Sequence, residues 1–264
     1  MPTHATFFKQ SLFVLSKNPI LFLLPFAGSA LSIIIEVIFT EELYYSNGSK
    51  VFFPNVILFG IFFAAFTITY FQLGLARKSV SLGGVNNHSV GVLELFAIYA
   101  IYSLVLYFIG SYEGQIREAY SLRTDRFSMY TFKVTTYHDI IDIIPPGVII
   151  VLSSTLTSFL FSAWMVQYVI NEHDIRYGLV ESLRGLTRDI VFKYTRRKLL
   201  LLFLVTLVIS MLDFVLTNVA IIRISNVLQL YLCQFMIISI VDSVYAPFFL
   251  ICLFFIALSK HTQF

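Results

Sequence analysis

The stretch that decides the fold runs from residue 199 to residue 222 and reads LLLLFLVTLVISMLDFVLTNVAII, with Asp213 as its one charged residue. An α-helix needs about 20 predominantly apolar residues to cross the hydrocarbon core of a bilayer. A helix on the surface of a soluble globule keeps a polar face toward water, and this stretch has none. It therefore predicts a membrane-spanning helix.

The composition of the whole chain shows the same bias. Hydrophobic residues make up 58% and charged residues 12% of its 264 residues, whereas a soluble domain carries about 45–50% and about 25%. The mean hydropathy is +0.84. Further apolar runs of spanning length lie at 19–39, 53–76, 91–111, 145–170 and 233–258. We therefore predict an all-α fold over 1–264, a single polytopic membrane helix bundle with about six transmembrane helices.

Two regions do not fit a plain pattern of spans and short loops. The segment 112–143 carries nine charged residues, and we expect this extramembrane segment to hold short helices or a small cap. The last apolar stretch, 227–258, is longer than a bilayer core requires. It predicts either a strongly tilted helix or an interfacial or re-entrant piece before the span, with a kink at Pro247.

Two further segments have the pattern of amphipathic helices. In 3–18 and in 176–191, apolar residues recur every three or four positions, and basic residues stand between them. In the second segment, Arg184 and Arg188 lie opposite the apolar positions. We predict that both segments form interfacial helices at the level of the lipid headgroups.

The distribution of Lys and Arg predicts the orientation. With the N-terminus inside, the inner segments carry 12 of these residues and the outer segments carry 6. The positive-inside rule then predicts a multi-pass protein of the cell membrane, with both termini in the cytoplasm. Four residues at a membrane entry form a basic cluster: Lys193, Arg196, Arg197 and Lys198. The favoured interpretation of the cluster is an anchor that fixes the topology, and the alternative is binding of anionic lipids on the cytoplasmic side.

Acids inside the apolar runs are the main functional candidates. Asp213 and Asp242 lie in the last two runs, and counting back from a turn near Val227 puts them at similar depth. Ser210 and Thr217 stand three residues before and four residues after Asp213, so the three side chains form one polar stripe. Two carboxylates that meet in a low-dielectric surrounding share one proton, which is the chemistry of a proton-coupled site. The alternative is that each acid is protonated, or hydrogen-bonded to a neighbouring hydroxyl.

Small residues in the first two runs predict close helix packing. Gly28 and Glu36 fall on one face of the first run, so we expect Glu36 at a seam between two helices rather than facing lipid. Gly60 in the second run has the same predicted role.

Serines recur at every fourth position of the fourth run, at Ser154, Ser158 and Ser162. Their hydroxyls therefore share one face of a helix. Such a stripe either lines a polar path or forms hydrogen bonds between helices, and packing is the favoured interpretation.

No short catalytic motif and no metal-ligand spacing is present in the sequence, and we predict no cofactor, no metal and no nucleic-acid partner. Three function classes remain open. The first is a transporter or permease-like protein for a small solute, with proton coupling through the buried acids. The second is a non-catalytic subunit, assembly factor or scaffold that binds partner membrane subunits. The third, a lipid-modifying enzyme with residues near 138–142, is the least favoured.

Three short patches of the sequence carry a resemblance to a known group. They are Ser16-Lys17-Asn18-Pro19 entering the LFLLP run, Gly178-Leu179-Val180-Glu181-Ser182-Leu183, and Pro247 in the last run. With them the chain resembles uncharacterised prokaryotic six-helix membrane proteins related to the membrane domain of some glycerophosphodiester phosphodiesterases. The resemblance implies a six-helix membrane bundle and assigns no residue a role.

Overall fold

The computed structural model describes residues 6–28, 30, 53–80, 91–124, 137–171, 178–191, 193–223 and 227–258. Over these residues the chain forms eight helices and no strand. The helices are α1 Thr6–Lys17, α2 Ile20–Gly28, α3 Phe53–Val80, α4 Val92–Thr124, α5 Tyr137–Asn171, α6 Leu179–Val191, α7 Lys193–Arg223 and α8 Val227–Leu258.

Four of these helices are long and apolar enough to cross a membrane. The qualifying stretches are Gly60–Val80, Val92–Ile109, Gly147–Ile170 and Thr195–Leu216. The pair α1–α2, bent by 84°, is a fifth candidate as one broken span. Large apolar side chains such as Leu204, Val208 and Leu212 lie half exposed along α7, which suits a surface surrounded by lipid. The prediction of an all-α polytopic membrane bundle is confirmed, while the count of six spans stays a prediction.

The C-terminal half of α8 is the centre of the bundle. From Pro247 to Ala257 nearly all of its side chains are buried, on every face of the helix. Helices α1, α3, α5 and α7 surround it. A helix that is apolar all round is expected in such a position, because no face needs contact with water. Helix α4 packs on α3 and α5, and helix α6 packs on α5 and α7.

Two side-chain contacts show that α5 and α7 are antiparallel. Phe159 of α5 lies 5.4 Å from Phe203 of α7 between ring centroids, and Gly147 of α5 lies against Phe214 of α7. The Phe249 ring of α8 lies 5.7 Å from the same Phe159 ring. The C-terminal ends of α5 and α8 and the N-terminal end of α7 therefore lie together. We call this the core end, because most of the buried residues lie there.

The described parts of the charged segment 112–143 continue the two helices that flank it. Helix α4 extends to Thr124, and helix α5 begins at Tyr137. Residues 125–136 lie outside the described residues. Helix α8 is one continuous helix with Pro247 inside it, and the tilt of the helix and the position of its first half in the membrane stay predictions.

The turn between α1 and α2 follows from the Asn18-Pro19 pair. Asn18 Nδ2 donates to the carbonyl of Val14, 2.8 Å away, and the Asn18 amide donates to the Leu15 carbonyl. These bonds satisfy carbonyls that the end of a helix leaves unpaired. Pro19 has no amide hydrogen and favours the first turn of α2.

The two short amphipathic helices predicted from the sequence are present as α1 and α6, and their position at the lipid headgroups stays a prediction.

Candidate functional site

One hydrogen bond orients the seam between α7 and α8. The hydroxyl of Tyr245 in α8 donates to Thr206 Oγ1 in α7. Thr206 is buried and donates its own hydroxyl to the Leu202 carbonyl, 2.8 Å away. The face of α7 that carries Thr206 is therefore turned toward α8.

Asp213 lies on the same face of α7. It stands seven residues after Thr206, which is almost two helical turns, and Ser210 stands between them at four residues. Its carboxylate oxygen Oδ1 is buried, while the neighbouring Leu212 is among the apolar side chains exposed on the surface. The polar stripe predicted around Asp213 thus extends to Thr206 and turns toward α8 rather than toward lipid.

The position of Asp242 follows from the register of the two helices. Because α7 and α8 are antiparallel, Asp213 is level with Ile238, which stands as far before Tyr245 as Asp213 stands after Thr206. Position 242 is four residues from that level, about 6 Å along the helix axis. The backbone of Asp242 lies in α8, and its side chain lies outside the described residues. A meeting of the two carboxyl groups stays a prediction.

One serine of the α5 stripe joins two helices. Ser158 Oγ forms a hydrogen bond of 3.0 Å with the Tyr102 hydroxyl of α4. Ser154 donates to the Val151 carbonyl of its own helix at 3.1 Å, and Ser162 is partly buried. The contact of Ser158 agrees with packing, which was the favoured interpretation of the stripe.

The glycine contacts agree in part with the predicted close approaches. A Cβ atom built on Gly28 would lie 2.9 Å from Ile68 Cδ1 of α3, so α2 and α3 approach closely there. At Gly60 a Cβ atom would meet nothing within 4 Å among the described residues. Glu36, predicted to share the seam of Gly28, lies outside the described residues.

The basic cluster at the start of α7 divides into two parts. Arg196 and Arg197 are exposed, whereas Lys198 is only 7% exposed. The side chain of Lys193 lies outside the described residues. A surface that binds a headgroup through this cluster therefore has Arg196 and Arg197 available, with Lys198 directed into the bundle.

Other candidate chemistry is sparse in the described part of the chain. No group of three His, Cys, Asp or Glu side chains within it could hold a metal ion.

A groove of about 320 Å³ between α4 and α5 is lined by Val105, Phe108, Ile109, Ile149, Ile150 and Ser153. Its one hydroxyl, of Ser153, donates to the Ile149 carbonyl at 2.8 Å. The side chains at 138–142, considered for a lipid-modifying site, lie outside the described residues.

Sequence reasoning missed Thr206 and Tyr245. Thr206 precedes Ser210 by four residues, so the helical spacing of the polar stripe was sufficient to include it. Tyr245 belongs to another helix, and only packing shows that it meets the stripe.

No protein-family profile matches the chain, and no curated protein or solved structure is detectably similar to it. The resemblance to six-helix membrane proteins therefore stays a prediction.

Proposed function

We propose that this multi-pass membrane protein is transporter- or permease-like, and that Asp213 binds the proton that drives movement of a small solute. The observation that carries the proposal is the position of Asp213, whose Oδ1 is buried on the α8-facing side of a membrane-spanning helix. Asp213 lies inside the apolar run 199–222, and an acid at the centre of a membrane-spanning helix costs about 2.5–3.5 kcal/mol on insertion scales. A cost of that size favours a functional role for the side chain.

The surroundings of Asp213 support exchange of a proton. Thr206 and Ser210 precede Asp213 on the same face of α7, and the Tyr245 hydroxyl of α8 donates a hydrogen bond to Thr206. A carboxylate only accepts hydrogen bonds, whereas a carboxylic acid also donates one. Gain of a proton also removes a charge from a region of low dielectric constant, where that charge interacts strongly with its neighbours. Proton binding therefore favours one arrangement of the α7–α8 seam over another. Asp242, one turn away by register, is the second proton site in this proposal.

The test is solute-dependent current in proteoliposomes under an imposed proton gradient. The probes are the twenty amino acids, glucose and inorganic phosphate, each applied to the purified full chain on a solid-supported membrane. We expect a current with the wild type that Asp213→Asn abolishes at equal protein content. Ser153→Ala is the matched control, because that hydroxyl lies outside the seam and bonds to its own helix. A current that Asp213→Asn leaves unchanged would contradict the proposal, and so would no current with any probe.

A second candidate function is a non-catalytic membrane subunit or scaffold. The hydrogen bond between Tyr102 and Ser158 favours it, because a polar group predicted for a path joins two helices instead. In this case Asp213→Asn changes the stability of the bundle or its association with partner subunits, and the wild type gives no gradient-driven current. The same proteoliposome experiment thus separates the two functions.

The orientation belongs to the same proposal. We place the core end on the cytoplasmic side of the cell membrane, since the helix ends that meet there border the predicted inner segments, which carry 12 of the 18 Lys and Arg residues. Cysteine accessibility from either side of the membrane tests it. A single cysteine at Lys9, in a chain without Cys233 and Cys252, is expected to react with an impermeant maleimide only after the inner side is opened.

A further inference from the structure

Helix α6 is fastened to the bundle along one of its faces. Ser182 is fully buried, and Leu186 beside it is buried as well. The indole Nε1–H of Trp164 in α5 donates to Ser182 Oγ at 2.7 Å, and Ser182 donates in turn to the Leu179 carbonyl. The orientation of α6 about its own axis is therefore set by the bundle.

The opposite side of α6 carries an apolar strip next to a basic one. Ile190, Leu183 and Val180 are exposed, and a step of 100° per residue places them in this order around the helix, starting from the docked face. Arg184 and Arg188 follow beyond Val180 and are exposed too. An apolar strip bordered by arginines is the pattern of a helix that lies at the boundary between headgroups and acyl chains.

Helix α1 repeats the arrangement at the same end. Its docked face meets α8, where the Cys252 thiol donates to Ser11 Oγ at 3.2 Å. On the other side Leu12 and Phe13 are each 58% exposed. Lys17 Nζ lies 4.3 Å from the centre of the Phe13 ring, a cation–π contact. Two separate short helices thus expose apolar and basic groups together at the core end.

We propose that the core end binds the headgroups of anionic phospholipids, through Arg184 and Arg188 of α6 together with Arg196 and Arg197 of α7. The apolar strip of α6 then lies among the acyl chains, which selects a lipid in the leaflet over a soluble anion. Among the described side chains of this end, the acids are Glu94 and Glu181. Glu181 Oε1 lies 3.7 Å from Arg184 Nη1, an exposed pair that is weak. The described side chains of this surface therefore keep a positive balance.

The chain supplies its own reporter for this surface. Trp164 is the only tryptophan, and its indole contacts α6. Phospholipids with brominated acyl chains quench its fluorescence when they occupy sites nearby. The experiment reconstitutes the full chain with either brominated phosphatidylglycerol or brominated phosphatidylcholine mixed into unbrominated lipid, and gives the relative binding constant of the two. We expect a preference for phosphatidylglycerol of up to about fivefold for each arginine engaged. The preference should weaken as salt shortens the range of the attraction.

Matched variants decide the assignment. The double variant Arg184→Gln/Arg188→Gln should bring the relative binding constant of the two lipids closer to one. The double lysine variant at the same positions should keep most of the preference for phosphatidylglycerol. Arg117→Gln with Arg123→Gln removes equal charge from α4 near its other end and should change nothing. An unchanged emission maximum of Trp164 shows that α6 stays docked.

Three outcomes would overturn the proposal. The first is equal quenching of the wild type by both lipids, and the second is a glutamine variant that keeps the full preference. The third is loss of the preference on adding millimolar inorganic phosphate at constant ionic strength, because the surface then binds free phosphate groups. None of these outcomes depends on transport, so failure here is distinguishable from failure of the proposed function.

Discussion

The bond from Trp164 to Ser182 gives a measurable prediction for the docking of α6. Ser182→Ala removes the acceptor of the indole N–H and leaves that donor unpaired in a part-buried position. An unpaired buried donor costs about 1–3 kcal/mol in soluble proteins, whereas hydrogen bonds between membrane helices average about 0.6 kcal/mol and reach about 1.7 kcal/mol. We expect about 1 kcal/mol for this bond, which is about a fivefold change in an equilibrium constant.

Alanine is also a better helix former than serine, which opposes the loss by a few tenths of a kcal/mol. Thr187→Ala corrects for this gain. Thr187 lies on the same helix, is exposed, and donates only to carbonyls of α6 itself, at 2.7 and 3.2 Å. The difference between the two variants therefore isolates the bond that joins α6 to α5.

Hydrogen exchange of the amides in 179–191 is the assay, because these amides exchange when α6 opens locally. Mass spectrometry of the full chain in detergent should show exchange about fivefold faster in Ser182→Ala than in Thr187→Ala. Equal exchange rates in the two variants would refute the reasoning, because the indole hydrogen bond would then contribute nothing to the docking of α6.

Two further predictions concern the other seams. Gly147→Leu should destabilise the bundle by about 1–3 kcal/mol, because a side chain there overlaps the Phe214 ring, whereas Gly60→Leu should cost much less. Thermal unfolding of both variants in the same detergent is the measurement, and equal midpoints would contradict the close approach of α5 and α7. Tyr245→Phe and Thr206→Val should show a coupling of about 0.6–1.7 kcal/mol in a double-mutant cycle of unfolding in SDS. A coupling of zero would mean that the hydroxyls do not stabilise the α7–α8 seam.

Much of the fold is readable from the one-dimensional order of residues. An apolar run of about 20 residues in a bilayer forms a helix, because a helix satisfies its own backbone hydrogen bonds. The apolar runs within α3, α4, α5 and α7 can therefore be predicted as helices without knowing which segments lie beside them. The short helices α1 and α6 follow from spacing in the same way. Local rules also explain the break at Asn18-Pro19.

Helical spacing likewise singles out Asp213 and its stripe, because an acid in an apolar run stands out whatever surrounds it. It leaves open which neighbour the stripe meets. The neighbour of the stripe depends on the rotation of each helix about its own axis. In a membrane an apolar helix face can lie against lipid or against another helix, so hydropathy does not fix this rotation.

Packing settled that rotation. It turned the Thr206 face of α7 toward Tyr245, placed Phe214 over Gly147, and buried the C-terminal half of α8 among four helices. It also separated Lys198 from Arg196 and Arg197, which the sequence presents as one cluster. The hydropathy of a segment depends only on its own residues, whereas a seam depends on the shapes of two segments that are distant in the chain. Composition therefore predicts that helices cross the membrane, and only their mutual packing shows which side chains meet.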